Sequence, residues 1–214
     1  IRDSLYDDLT GGSGDDTFIA GAGALETGDA VNGGAGSDTL SATYTADVTT
    51  MPSVSNVETV NIRAYGSDVD VVVDMDTISG ATAVYSDRMD NVAAANDAST
   101  IFNNLVLGTG IGVNGGAAAA TSAGDVTFTF KATTGTADSV SLDLKGALVN
   151  NVTIAGIETV NIASGTSANL LADLVVANAT NIVITGSANL TITNNVDMAD
   201  NASTVASAID GTVD

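Results

Sequence analysis

Four aspartates recur in one frame near the start of the chain: Asp7, Asp16, Asp29 and Asp38. Each is the sixth residue of a nine-residue block: RDSLYDDLT at 2–10, GGSGDDTFI at 11–19, ALETGDAVN at 24–32 and GGAGSDTLS at 33–41. Residues 20–23 (AGAG) interrupt the frame, and the eighth position is always apolar (Leu9, Phe18, Val31, Leu40). Two blocks have the full pattern GGxGxDxUx, with U a large apolar residue, through Gly12, Gly14, Asp16 and through Gly34, Gly36, Asp38. The chemistry of that spacing is hard-cation binding. Glycines permit a tight turn that points carbonyls inward, and the aspartate adds a carboxylate, completing an all-oxygen cage. Residues seven to nine form a short strand whose eighth residue faces a core. Two blocks make one turn of a coil, so the loops at 11–16 and 33–38 stack and place Asp16 and Asp38 near one ion. The blocks at 2–10 and 24–32 lack the motif glycines and offer only Asp7 and Asp29. Gly-rich hairpins with solvated aspartates are the plainer alternative.

Composition points to the same metals. The 214 residues carry 26 acids and five basic side chains, a formal charge of −21. Apart from Glu26, Glu58 and Glu158 the acids are all Asp, which favours turns over helices. Arg2, Arg63, Arg88, Lys131 and Lys145 are scattered singly, so no nucleic-acid surface exists. Self-repulsion of this size destabilises a compact chain, and divalent cations are the simplest relief. Without Cys or His, Ca²⁺ or Mg²⁺ are the plausible metals and disulfides are excluded. A serine nucleophile has no His to activate it, and no phosphate-binding or dinucleotide motif is present, so the chain is expected not to be an enzyme. No apolar run nears the roughly 18–20 residues of a membrane span, and no signal peptide is visible. Opening on Ile1 and stopping at Asp214 in mid-pattern, it reads as a segment of a longer protein.

The elements that must position these loops are strands. Apolar and β-branched residues alternate over Thr39–Tyr44, Asp125–Phe130, Ser139–Leu144, Asn181–Thr185 and Asn189–Thr193, with Gly, Asn, Asp and Ser clusters between. An aromatic content of 4% leaves Val, Ile, Leu and Ala to build the core, suited to flat stacked layers. The chain is therefore expected to be all-β.

A second repeat is longer. VETVNI at 57–62 returns as IETVNI at 157–162, an offset of 100 that also pairs Asp38-Thr-Leu-Ser with Asp138-Ser-Val-Ser. Ala81-Thr-Ala-Val resembles Ala179-Thr-Asn-Ile at a slightly shorter offset. The expected organisation is a calcium-binding roll at 1–41, a first β-unit at 42–107, a linker or long loop at 108–124 and a second β-unit at 125–214. The units read equally as solenoid coils or sandwich-like layers. Glu58 and Glu158 occupy equivalent places, so a structural role, bonding to Asn61 or Asn161 nearby, is expected rather than paired catalysis.

The run Asp68–Asp76 alternates Asp68, Asp70, Asp74 and Asp76 with Val69, Val71, Val73 and Met75. A cation between the carboxylates and a solvated edge that discourages pairing are both open readings.

The nonapeptides resemble the RTX, or haemolysin-type, calcium-binding repeats that form parallel β-rolls in bacterial secreted proteins. The resemblance covers residues 2–41. The later (I/V)ETVNI strands, the turn Gly135–Asp138 and the run Asn181–Asn194 resemble the C-terminal region of Gram-negative, Caulobacter-type S-layer proteins. These resemblances imply type I secretion, an extracellular or cell-surface location, Ca²⁺ as cofactor and self-association into a lattice or filament. The alternatives are a calcium-rigidified binding module of a large adhesin, which would contact a surface glycan, and the repeat region of a secreted protease or lipase.

Overall fold

In the computed structural model, residues 6–66, 68–89, 98–115 and 124–199 are described, together with the backbone of 204–209. Within them the chain is all-β, 58% strand and 2% helix, wound into a β-solenoid of about eight turns.

Three sheets run along the coil. The nine-stranded sheet contains β2 (Thr17–Ala20), β4 (Thr39–Tyr44), β6 (Thr59–Ala64), β9 (Ala83–Asp87), β11 (Gly110–Asn114), β13 (Ser139–Lys145), β15 (Thr159–Gly165), β17 (Asn181–Gly186) and β19 (Thr204–Ile209), adjacent in that order. A four-stranded sheet holds β1 (Asp8–Thr10), β3 (Ala30–Asn32), β5 (Ser53–Ser55) and β8 (Ile78–Ser79). A six-stranded sheet holds β7 (Asp70–Asp74), β10 (Ser99–Leu105), β12 (Asp125–Phe130), β14 (Leu148–Ala155), β16 (Asn169–Val176) and β18 (Leu190–Met198). Strand pairing among the described residues is parallel, from β1 with β3 at the start to β17 with β19 at the end. Parallel partners must be reached by carrying the chain around, and here the other sheet and the corners do so. That geometry makes the later region a solenoid and excludes sandwich-like layers.

Register explains the alternation in the sequence. Leu40, Val60, Val84, Ile111, Leu142, Ile162 and Ile184 lie side by side on seven successive strands. All seven are essentially inaccessible to solvent. One residue along, Ser41, Asn61, Tyr85, Gly112, Asp143, Ala163 and Thr185 form the matching outward row. Strands stack about 4.8 Å apart, so each aliphatic packs on its counterpart in the next coil, which rewards slim branched side chains over bulky ones.

The 100-residue repeat is a repeated corner. The Asp38 amide donates to Glu58 Oε2 at 2.7 Å, and the Asp138 amide to Glu158 Oε2 at 2.9 Å. The Glu58 and Thr59 amides then donate to the Asp38 carbonyl, as Glu158 and Thr159 do to Asp138. Thr82 and Thr180 close both corners by donating to the Glu58 and Glu158 carbonyls. Each glutamate thus binds a backbone amide of the neighbouring coil. Asn61 and Asn161 are not its partners; their amides go to Ser41 and to the Val140 carbonyl. The expected linker at 108–124 contains β11, paired with β9 and β13, so its first part is sheet. Residues 116–123 of it lie outside the described residues.

Candidate metal centre

The two full nonapeptides stack as their spacing requires. Gly34 and Gly36 have positive φ (99° and 135°), and a Cβ on either would press on the carbonyl oxygens of Gly12 and Gly14. The Ala35 amide donates to the Gly12 carbonyl at 3.0 Å, and the Ser37 amide to Asp15 Oδ1 at 2.8 Å. Only glycine allows the two loops to approach this closely.

The sixth-position aspartates form a ladder across the coils. The Asp7 amide donates to Asp29 Oδ1 at 2.8 Å, and the Asp16 amide to Asp38 Oδ1 at 2.7 Å, each 22 residues on. Glu58 takes the next rung in place of an aspartate. The first-position glycines repeat a second feature. A Cβ on Gly11 would collide with the Asp16 carboxylate and the Gly33 carbonyl oxygen, and one on Gly33 with the Asp38 carboxylate and the Asn56 carbonyl oxygen. Each full nonapeptide therefore brings a carboxylate oxygen and a carbonyl oxygen of the next coil to one point.

The two points differ in how the carboxylate is satisfied. Asp16 Oδ2 accepts the Gly12 amide at 2.6 Å. The equivalent donor for Asp38 is the Gly34 amide, but Asn32 Oδ1 takes it at 3.1 Å, and Asn32 also receives the Asn56 side-chain amide. Asp38 is 1% exposed, and its Oδ2 is left without a hydrogen-bond partner. A buried charged oxygen in that state costs more than the roughly 1–3 kcal/mol of a neutral one. The donors around it are all oxygens, the chemistry of a hard cation. At the degenerate block, Asp29 accepts both the Asp7 and the Glu26 amides, making that corner a hydrogen-bonded one.

The acidic run behaves differently. Val69, Val71, Val73 and Met75 are buried as the alternation requires, and Asp68, Asp70 and Asp76 are exposed. The four carboxylates do not converge: among the described residues no three acidic groups form a cluster able to hold a metal. Neighbours two apart on a strand are separated by about 6.6 Å, and Asp70, Asp74 and Asp76 each find a protein donor instead. Ser99 donates to Asp70, Asn104 to Asp74 at 2.9 Å, and Lys131 pairs with Asp76. The Asn104 amide, then the Asp76 backbone amide, hold the Asp74 carboxyl below its ordinary range. Its contribution to stability is thus present above the unfolded pKa and lost as pH falls through the lowered folded value. On the outer face of the six-stranded sheet, Asp125 and Asp173 likewise receive amides from Asn151 and Asn194. Interleaving acids with donors between coils lets the sheet carry much of its charge without metal.

Sequence reasoning did not anticipate Asn32 or Asn56. Asn32 ends β3 and Asn56 follows β5, and only register shows that they close on the neighbouring loop.

The fold and these loops define a parallel β-solenoid whose first coils carry stacked Gly-Asp corners. No family model matches the chain, and no curated protein or solved structure matches it.

Proposed function

We propose that the chain is a structural segment of an extracellular, self-assembling protein whose solenoid is ordered by Ca²⁺. The observation that carries this reading is the buried Asp38 oxygen without a donor, beside the Asn56 carbonyl where the two Gly-rich loops stack. Asp38 and the Asn56 carbonyl beside it are the groups that would hold the ion; Asp16 stands at the neighbouring point, beside the Gly33 carbonyl, with its Oδ2 bonded to the Gly12 amide. The bound cation supplies positive charge and ties adjacent coils together. Asp38 Oδ1 keeps the Asp16 amide in place, Gly34 and Gly36 allow the close stacking, and the Glu58 corner passes the register on to the next coil.

Extracellular modules bind Ca²⁺ at about 0.1–1 mM. Such a site would be empty inside a cell and filled outside, which suits export of a loose chain followed by folding at the surface, as type I secretion would require. In a solenoid each coil contacts only its neighbours, so ordering the first coils offers the remaining ones a template. Open sheet edges and flat outward rows suit lateral or end-to-end association. No reaction is assigned to the chain.

Calcium titration followed by circular dichroism and light scattering tests the reading. Strand signal and particle size are expected to rise together at millimolar Ca²⁺ and to fall again with chelator. A rise in strand signal with a persistent monomer would replace assembly with the adhesin-module reading, in which calcium rigidifies a binder of surface glycan.

A further inference from the structure

The two full nonapeptides present their aspartates alike, yet they differ in whether Oδ2 is free. Asp16 Oδ2 stands beside the Gly33 carbonyl and Asp38 Oδ2 beside the Asn56 carbonyl, each at the first-position glycine of its own block. Carboxylate, carbonyl and first glycine therefore do not distinguish the two corners. The difference lies in one amide. The second glycine of the first block, Gly12, donates to Asp16 Oδ2 at 2.6 Å, whereas that of the second block, Gly34, donates to Asn32 Oδ1 at 3.1 Å. The backbone follows the bond: Gly34 turns to φ 99°, a conformation that Gly12 does not adopt.

The residue that takes the Gly34 amide stands just before the first glycine. Thr10 holds that place in the first block and Asn32 in the second. An asparagine oxygen accepts the amide two residues on, and a threonine hydroxyl does so more weakly. Asn32 is also held in orientation. Asn56 Nδ2 donates to the same Oδ1 at 2.9 Å, and turning the Asn32 amide over would set its NH₂ group against two donors. Asn56 thus serves twice, with its side chain on Asn32 and its carbonyl beside Asp38. The result is that Asp38, 1% exposed, keeps an Oδ2 without a donor, while the half-buried Asp16 is satisfied at Oδ2.

We propose, resting on the calcium reading, that Asn32 decides which of the two stacked corners takes the cation. By holding the Gly34 amide it keeps the Asp38 carboxylate open. It acts through that amide and is a positioning residue, not a ligand. An ion at Asp16 must displace an amide bonded to a carboxylate, and an ion at Asp38 displaces none. That difference amounts to about tenfold or more in affinity, enough to fill one corner before the other.

The test is calorimetric titration of the whole chain with CaCl₂, with thermal melting in calcium and in chelator, for the wild type, Asn32→Thr and Asn32→Asp. Asn32→Thr recreates the first block, so the Gly34 amide passes to Asp38 and calcium affinity is expected to fall about tenfold or more. In chelator the same variant should melt within about 3 °C of the wild type, because Asp38 gains a donor as the Asn32 bonds are lost. Asn32→Asp keeps the acceptor oxygen and should bind calcium at least as tightly as the wild type. The proposal is overturned if Asn32→Thr binds calcium like the wild type, or if Asn32→Asp loses as much affinity as Asn32→Thr. It is overturned too if the melting temperature of Asn32→Thr drops as far in chelator as in calcium, which would leave Asn32 a structural residue only. A wild-type chain that binds no calcium overturns the calcium reading itself and the role of Asn32 with it, a result that stands apart because it needs no substitution.

Discussion

Replacing Gly33 with alanine is expected to destabilise the chain by about 3 kcal/mol and to abolish calcium binding at the stacked loops. A Cβ at this position would overlap the Asn56 carbonyl and the Asp38 carboxylate at once. Rotamer changes cannot relieve the first overlap, because the Asn56 oxygen belongs to the backbone. That backbone is held by its neighbours: the Gly33 amide donates to the Ser55 carbonyl at 2.9 Å, and Asn56 has φ 49°. The two coils must therefore part, and parting them separates the oxygens of the proposed cation site. Gly14→Ala is the matched control. A Cβ there meets nothing within 4 Å, so stability should change by no more than about 0.5 kcal/mol. Urea denaturation of both variants, with and without Ca²⁺, measures the difference. Equal stability of the two would show that loop stacking is not what holds these coils.

Phe128→Ala is expected to cost about 3–5 kcal/mol, the largest loss available in the core. Phe102 and Phe128 are adjacent in register on β10 and β12, their rings parallel within 7° and 5.4 Å apart, and both are fully buried. Val73 flanks the pair on one side and Ile154 on the other. Strand ladders fix the spacing of these four rungs, so the void left by a phenyl ring cannot close by collapse, and the cost falls at the high end of the range. Phe128→Leu keeps most of the volume and should lose less than about 1.5 kcal/mol. Because coils contact only their neighbours, a weak rung in mid-solenoid should also broaden the transition or divide it in two. A sharp transition at the wild-type midpoint for Phe128→Ala would contradict this description of the core.

The strands were legible because burial on one face imposes a period of two. Thr39–Tyr44 and Asp125–Phe130 were read to the residue as β4 and β12, and Ser139–Leu144 falls within β13. Pairing was not legible, since alternation is the same in a sandwich and in a coil. The coils also vary in length: Thr39 pairs with Thr59, 20 residues on, whereas Ile111 pairs with Leu142, 31 residues on. Such variation hides the period everywhere except in the nonapeptides. It also explains why the offset of 100 looked like a duplicated unit. What recurs is the Asp-Glu-Thr corner, because a carboxylate that reaches one backbone amide of the neighbouring coil must stand at one position relative to the strand. At the stacked Gly-Asp loops the glycines and Asp38 were readable from spacing. The roles of Asn32 and Asn56 were not, because both act across coils.

Asp38→Asn reduces the account to one measurement. The substitution keeps Oδ1 for the Asp16 amide and removes the charge that the buried Oδ2 carries without a donor. Calcium binding and melting temperature should be followed together in the wild type, in Asp38→Asn and in Asp74→Asn. With free Ca²⁺ about a hundredfold above its dissociation constant, one site adds about 2.7 kcal/mol, or roughly 5–10 °C in a chain of this length. The wild type and Asp74→Asn are expected to show this rise, and Asp38→Asn to lose both the rise and one bound ion. If Asp38→Asn binds as many calcium ions and gains as many degrees as the wild type, the stacked Gly-Asp corners are turns and not a metal centre.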